Sequence, residues 1–457
     1  MTSSARPETR LVDTERGIVS REIFVNDTIH GEELERLFTR AWLFIGHESQ
    51  IKNPGDYFVS RTGGESVILC RDKQRQIHVF LNTCRHRGMK VCRYDEGNTP
   101  LFSCPYHNWS YATDGKLVGV PHHKELYPDL DRRAWSLVEV PRMVNYKGTI
   151  WASWDKAAPD FLAYLGDVKD HLDQVLDCRD GRPGGSEVFG GVHKWIIPCN
   201  WKFAAENFCG DTYHNPSHRS VDLIGISPSA AAGIAGRRDN EYVGGQHVWV
   251  SFPGGHGVHS VWNQPDRAYV ETYRDNKEVD DYFRHCFEER QQRLGEKSRL
   301  LPFVGTIFPN TSYHGRQPRA LCVWHPVSAT ETEVWRFFLV DADAPAAVKD
   351  MLRRFYMRYS GPAGMTEQDD MENWNYATAA SRGVVARRYP YNYQQSLGRV
   401  QEDGPVPGRV ATQPSEEMAR GFYASWQRYL DGAEWDALIG GSNPLGANPS
   451  AVREAAE

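Results

Sequence analysis

Two short clusters, Cys84-Arg85-His86 and Cys104-Pro105-Tyr106-His107, constrain this chain more than any other feature. Each puts a thiolate and an imidazole within two or three residues, and seventeen residues separate His86 from Cys104. A Cys₂His₂ set admits two readings. Zinc would take all four ligands on one tetrahedral ion, whereas a Rieske [2Fe–2S] centre would give both Cys to one iron and both His to the other. A zinc finger presents a Cys pair followed by a His pair. Here each cluster carries one of each, which favours the Rieske reading. The flanking segments Val79-Phe80-Leu81-Asn82 and Leu101-Phe102-Ser103 predict that each cluster sits at a β-hairpin tip. Gly88 and Pro105 permit tight loops whose backbone N–H groups can point at sulfur. Such a centre carries electrons, so an acceptor is expected elsewhere in the chain.

One is offered by the segment from Glu206 to His218, in which Asp211, His214 and His218 fall at i, i+3 and i+7. On a helix those positions share one face. Two His and a carboxylate with open coordination positions form the facial triad of non-haem Fe(II) oxygenases. Asp211 is one candidate for the carboxylate. A second lies in Gly361–Trp374, where Gly and Pro precede a helical stretch opening at Thr366. Thr366 with Asp369 reads as a capping box. That would leave Asp370, about 100° further round the helix, free for metal, with Asp369 as the fallback. Pro216 lies between the two His; inside a regular helix it would cost about 3 kcal/mol. A kinked or terminated helix is therefore expected there, which weakens the one-face argument for His218.

With 457 residues, 40% hydrophobic and 12% aromatic, the chain can bury a sizeable core. Length alone would suggest about three domains of roughly 150 residues, but the motif spacing argues for two. A net charge of −6 gives no reason to expect nucleic acid or an anionic membrane as partner. No run of 18 or more apolar residues and no signal segment in residues 1–20 is present, so the expected location is the cytoplasm. Of nine Cys, two belong to the cluster motifs. Cys70, Cys92, Cys178, Cys199, Cys209, Cys286 and Cys322 are expected to be reduced thiols with no redox role.

The expected fold is α+β: a mostly-β cluster domain ahead of a catalytic domain with a central antiparallel sheet and flanking helices. Residues 1–42 form an N-terminal segment with a helix from Gly31 to Trp42, expected to pack with the catalytic domain. The cluster domain spans 43–155 and contains Tyr57–Ser60, Ser66–Leu69 and Ile77–Phe80 as strands and Thr149–Trp154 as its closing strand. The catalytic domain spans 156–457, with a helical pattern at Phe161–Leu176, a strand at Glu333–Val340 and a helix at Ala346–Tyr359. The Gly-, Ala- and Ser-rich stretch Ile226–Gly257 reads as loops near the iron segment.

The segments CRHRG, CPYHNW, ENFCGDTYHNPSH and EQDDMEN resemble the large (α) subunits of Rieske non-haem iron aromatic-ring-hydroxylating oxygenases, from about Trp42 to a closing helix at Phe422–Trp426. The resemblance implies a [2Fe–2S] cluster on Cys84, His86, Cys104 and His107, and a mononuclear Fe(II) on His214, His218 and Asp370. It gives Asp211 the role of the aspartate that links an iron-ligating His to the cluster of a neighbouring subunit, and it puts Asn207 near that iron. It further implies a ferredoxin and an NAD(P)H-dependent reductase as electron donors, O₂ as co-substrate, and a trimer, α₃ or α₃β₃ with a small β subunit. The naphthalene-, biphenyl- and polycyclic-arene type favours the α₃β₃ hexamer. The implied product is an arene cis-dihydrodiol, with a monooxygenase such as a salicylate-type hydroxylase or dealkylase as the alternative. Two departures stand out: Asn108 replaces the usual Gly after the second cluster His, and the His pair is spaced four apart where many members have five.

The remaining candidates read more plainly. His122-His123, and His256 with His259 in a Gly-rich loop, are expected to have surface or packing roles. Met365 and Phe208 are expected to be pocket or core; the resemblance puts the segment of His314 at the border of the pocket, where His314 either meets a polar substituent or has a structural role only. No Arg is evident in the matched pocket segments, which favours a hydrocarbon over a benzoate-like substrate, with Arg219 and Arg316 as possible exceptions.

Overall fold

The computed structural model describes residues 11–177, 181, 185–224, 245–263, 276–315, 319–402 and 404–440. The chain forms two compact units. One comprises Phe38–Ala158 with Pro183–Val188; the other comprises Met1–Leu37, Pro159–Arg182 and Phe189–Glu457. Both are discontinuous, because compactness follows packing, whereas boundaries drawn from motifs run straight along the chain.

The smaller unit is built from ten strands: β1 (Leu43–His47), β2 (Asp56–Thr62), β3 (Glu65–Arg71), β4 (Ile77–Leu81), β5 (Glu96–Asn98), β6 (Leu101–Ser103), β7 (Ser110–Ala112), β8 (Leu117–Gly119), β9 (Arg142–Tyr146) and β10 (Thr149–Ser153). They make three small antiparallel sheets in the orders β9-β10-β1, β4-β3-β2-β5 and β8-β7-β6. Apolar side chains of β3 and β4 fill the core, with Ile68, Phe80, Phe102, Trp109 and Tyr111 in one cluster that also contains Cys84 and Cys104.

In the larger unit the N-terminal segment departs from expectation. Asn26 accepts bonds from the Thr28 and Ile29 N–H groups and starts an α-helical turn at Asp27 that passes into a π-helical stretch, Glu33–Leu37, and stops there. The expected span to Trp42 therefore falls short, and within the π-helical stretch Glu33 is drawn inward. Its carboxylate takes the Lys202 ammonium at 2.5 Å and the indole N–H groups of Trp201 (2.9 Å) and Trp426 (2.8 Å). Glu33 and Lys202 are both buried, so deleting either would leave an uncompensated charge, at a cost of about 3–5 kcal/mol.

The unit's sheet has eight strands: β11 (Ser186–Ile197), β12 (Gly245–Ser251), β13 (Gly257–Asn263), β14 (Leu300–Ile307), β15 (Thr311–His314), β16 (Arg319–Ser328), β17 (Glu331–Asp341) and β18 (Arg409–Ala411), in the order β11-β17-β16-β15-β14-β13-β12-β18. β16 and β17 are covered on both faces, hence their near-continuous apolar runs. Helices α1 (Lys169–Leu176), α2 (Trp201–Asn207), α3 (Lys277–Leu294), α4 (Ala346–Tyr359), α5 (Met365–Ser381) and α6 (Glu417–Leu430) accompany it. A short helix, Trp435–Ile439, follows α6, so α6 does not close the described fold. The loop expectation for Ile226–Gly257 is corrected over Gly245–Ser251, which is strand β12 paired with β13 in the register Val248↔Ser260. The β-branched and aromatic Val248-Trp249-Val250 run was the signal. Residues 226–244 of that stretch, like Cys178 and Arg316, lie outside the described residues.

Candidate metal centres

The two Cys/His tips fold alike. The Cys84 N–H donates to the Met89 carbonyl and the Gly88 N–H to the Cys84 carbonyl. The Cys104 N–H donates to the Trp109 carbonyl and the Asn108 N–H to the Cys104 carbonyl. Gly88 and Asn108 thus hold the same turn position, both left-handed at φ 72° and 56°. Asn is among the few non-Gly residues that visit this region readily, which explains how Asn108 fills a place suited to Gly. Both thiols are buried, and the His86 and His107 rings lie 4.4 Å apart. His86 stacks on Trp109 at 5.0 Å, and the Tyr127 hydroxyl lies 3.4 Å from its Nε2. Its Nδ1 is buried with no partner among the described residues, as a nitrogen awaiting a metal would be. Burial, with His107 and Arg87 close by, lowers the His86 pKa and keeps the ring neutral, the form that ligates. Burial raises the Cys104 thiol, against the pull of the Tyr106 and His107 N–H groups that face its sulfur. The Tyr111 hydroxyl lies 3.3 Å from Cys84 Sγ and accepts the Arg85 N–H. Two thiols, two imidazoles and N–H and O–H groups aimed at sulfur fit a [2Fe–2S] cluster.

The second centre is assembled from distant segments. Helix α2, capped by Asn200, stops at Asn207. Gly210 follows at φ 127°, where a Cβ would also press on His259 and Met418 at 3.1 Å. Asp211, His214 and His218 therefore do not share one helix face as the spacing suggested. Asp211 sits in the loop, and Pro216 opens a 3₁₀ turn, Asn215–His218, that returns the chain to helix. This turn brings His214 Nε2 to 3.1 Å from His218 Nε2. Asp370 Oδ1, from α5, lies 3.4 Å from the first and 3.1 Å from the second. For bonds of about 2.1 Å, neighbouring donors would lie about 3.0 Å apart around an octahedral ion and about 3.4 Å around a tetrahedral one. The set therefore fits a metal, and two His with one carboxylate beside a cleft suit non-haem iron.

Each imidazole's other nitrogen meets a second carboxylate. Asp211 Oδ2 is 3.1 Å from His214 Nδ1, and Asp369 Oδ2 is 3.3 Å from His218 Nδ1. Such partners fix ring orientation and raise ligand basicity. Burial alone would lower the His214 pKa, but Asp211 and Asp370 outweigh it and push it up to about 10. Burial would raise Asp370, but His218 and His214 hold it well below the usual carboxylate range. Burial likewise opposes His214 at Asp211, and His214 prevails, holding that carboxyl low. The capping box is corrected: α5 starts at Met365 after Gly364 with no side-chain cap, and Asp369 instead receives the Ser220 hydroxyl at 2.9 Å.

A cleft opens beside these donors, lined by Asn207, Phe208, Phe303, Val304, His314 and Tyr359 as well as by the ligand residues. His314, on β15, and Phe208 thus take the places expected of them, and Met365 starts α5 without lining the cleft. His259 is on strand β13 rather than in a loop, and its Nε2 lies 2.8 Å from His247 Nδ1. His256 takes the Phe308 N–H on Nδ1 and sits 2.9 Å from the Tyr164 carbonyl through Nε2. His122 is left-handed at φ 52° just ahead of a four-residue helix that begins at His123. The expectation that no Arg enters the pocket is overturned, since Arg336 and its partner Glu367 both line the cleft. The overlooked signal was a lone charge inside the otherwise apolar Val334-Trp335-Arg336-Phe337-Phe338 run of a doubly covered strand.

Comparison with known proteins agrees with this geometry. Residues 41–140 match the Rieske [2Fe-2S] domain, and residues 165–432 match the ring hydroxylating alpha subunit (catalytic domain). The chain is 41% identical to the chlorobenzene dioxygenase subunit alpha of Cupriavidus sp. (strain PS12), covering 95% of this chain and 96% of that one. It is 40% identical to the biphenyl dioxygenase subunit alpha of Paraburkholderia xenovorans (strain LB400), with 94% of each covered. Among solved structures, a naphthalene 1,2-dioxygenase variant bound to phenanthrene superposes with a TM-score of 0.84 at 30% identity, covering 94% of this chain and 96% of that one.

Proposed function

Because the chain belongs to the ring-hydroxylating oxygenase α subunits, with a Rieske domain and a mononuclear-iron catalytic domain, we propose how its residues divide the work of an aromatic-ring dioxygenase. It is the large catalytic subunit of such an enzyme, with one [2Fe–2S] cluster and one mononuclear iron as cofactors and NAD(P)H acting only indirectly. When bound, the cluster supplies electrons singly and the iron activates O₂ for addition to a ring, the two together giving a cis-dihydrodiol.

Cys84, His86, Cys104 and His107 hold the cluster, and His214, His218 and Asp370 hold the iron. The observation that carries this assignment is the convergence of His214 Nε2, His218 Nε2 and Asp370 Oδ1 within 3.1–3.4 Å beside a cleft. Asp211 orients His214 and offers the carboxylate that connects it to the cluster of a neighbouring subunit; Asn207 borders the iron. Phe208, Phe303, Val304 and Tyr359 supply flat and apolar surface for an arene and exclude water from the reacting face. Residues 1–42, 43–155 and 156–457 serve as supporting segment, cluster domain and catalytic domain. The family's multicomponent character supports a ferredoxin and its reductase as partners. We extend this to a small β subunit in an α₃β₃ hexamer and to a cytoplasmic location, in keeping with no described helix being long and apolar enough to cross a membrane.

The test is mass spectrometry of products formed under ¹⁸O₂. The chain is reconstituted with a small subunit, ferredoxin and reductase and offered benzene, biphenyl and naphthalene. A diol carrying two labels is expected; a singly labelled phenol would move the protein to the monooxygenase alternative.

A further inference from the structure

Beyond the metal, the cleft contains a polar construction that a hydrocarbon does not need. Arg336 on β17 stands in register with Cys322 on β16, and its Nε donates to Cys322 Sγ at 3.0 Å. Its Nη2 pairs with Glu367 Oε1. Both partners are 2% exposed, so the pair is desolvated. Glu367 precedes Asp370 by three residues on α5, which puts the two carboxylates one turn apart on neighbouring positions of the helix. The second oxygen of Glu367, Oε2, and the hydroxyl of its neighbour Thr366 are buried with no partner among the described residues. Both residues line the cleft. A buried acceptor left unpaired is costly, and polar groups of this kind in a binding cleft fix the orientation of a ligand.

We infer that this cleft is built for an arene bearing a hydrogen-bond donor, a hydroxyl or an N–H, placed against Glu367 and Thr366 while the ring lies beside Asp370. The inference rests on the dioxygenase reading for the ring's fate and names the substrate class of the same site. A hydrocarbon leaves Glu367 Oε2 unpaired. A carboxylate substituent cannot donate to it. A phenol or aromatic amine donates to Oε2, and the rotatable Thr366 hydroxyl can give to or take from the same substituent. Arg336 is a positioning residue: it offsets the Glu367 charge and fixes Oε1, leaving Oε2 to the ligand.

Equilibrium binding to the anaerobic holoenzyme, with both metals and its small subunit, tests this without requiring turnover. The probes are naphthalene, 1-naphthol, 1-naphthylamine and 1-naphthoate. The naphthol and the amine should bind tighter than naphthalene by about tenfold or more, and the naphthoate weaker than either. Thr366→Val and Glu367→Gln should each bring the naphthol-to-naphthalene ratio toward one. Equal affinity for naphthalene and 1-naphthol, or tightest binding of 1-naphthoate, overturns the inference whether or not the variants fold. A ratio unchanged in both folded variants overturns it as well. In parallel turnover under ¹⁸O₂, a tightly bound naphthol with none of the four probes oxygenated would sink the dioxygenase reading and leave the binding preference standing.

Discussion

The two metal centres are built in opposite ways. The cluster tips are local: each Cys and His is fixed by a few residues of hairpin, and the Cys84 and Cys104 turns repeat one hydrogen-bond pattern. The iron site is assembled from a 3₁₀ turn and a helix far apart in the chain, with Asp211 and Asp369 bracing the imidazoles from outside. A locally built site should tolerate damage elsewhere, whereas an assembled one should depend on the packing of segments that never touch in sequence.

The largest expected effect breaks that comparison if it fails. Asp370→Ala should strip the mononuclear iron and abolish product formation while leaving the visible spectrum of the cluster unchanged. Loss of the cluster spectrum as well would mean that the two sites are not independent. Asp211→Asn should keep both metals, by metal analysis, yet lower turnover by about 10- to 100-fold, on the scale of lost partners to ligating His. A metal-replete variant with ordinary activity would remove Asp211 from its proposed role.

Acidity sharpens the contrast further. In the metal-free protein the His214 pKa is raised, so its stabilising contribution is complete below about 6.5 and is lost as pH climbs through about 10. That of Asp370 is depressed, so its contribution is complete above about 4 and fades at lower pH. Iron must displace the His214 proton, so Fe(II) affinity should rise about tenfold per pH unit between roughly 6.5 and 8. A flat anaerobic titration would show that the free site holds no such proton. The smallest effect is local: Asn108→Gly should relieve left-handed backbone strain and stabilise the cluster unit by less than about 1 kcal/mol in denaturant unfolding. A large loss would mean that the Asn108 side chain supports the tip.

What was legible in the sequence follows the same division. The helix Ala346–Tyr359 and the strands flanking both tips could be read because their periodicity and turn residues act over a few positions. The Asp211–His218 spacing promised a helix face, but Gly210 and Pro216 produced a loop and a 3₁₀ turn. The capping box at Thr366 was a pattern without its hydrogen bond, since Asp369 found Ser220 and His218 instead. Arg336 is not legible in this way, because one charge in an apolar strand does not reveal what stands opposite.

The amino-acid sequence by itself determined the ligand types, the hairpin tips, and the pairing of an electron-carrying centre with an oxygen-activating one. These depend on bond geometry, side-chain chemistry and neighbours within a turn. Only the tertiary structure decided that Asp370 faces the two Nε2 atoms while Asp369 braces His218 from behind, and that Arg336 and Glu367 meet in the cleft. Adjacent aspartates on one helix have the same intrinsic chemistry. Which of them meets the metal is settled by how α5 packs against the His214–His218 turn, a contact between segments whose separation in the chain leaves no local signal.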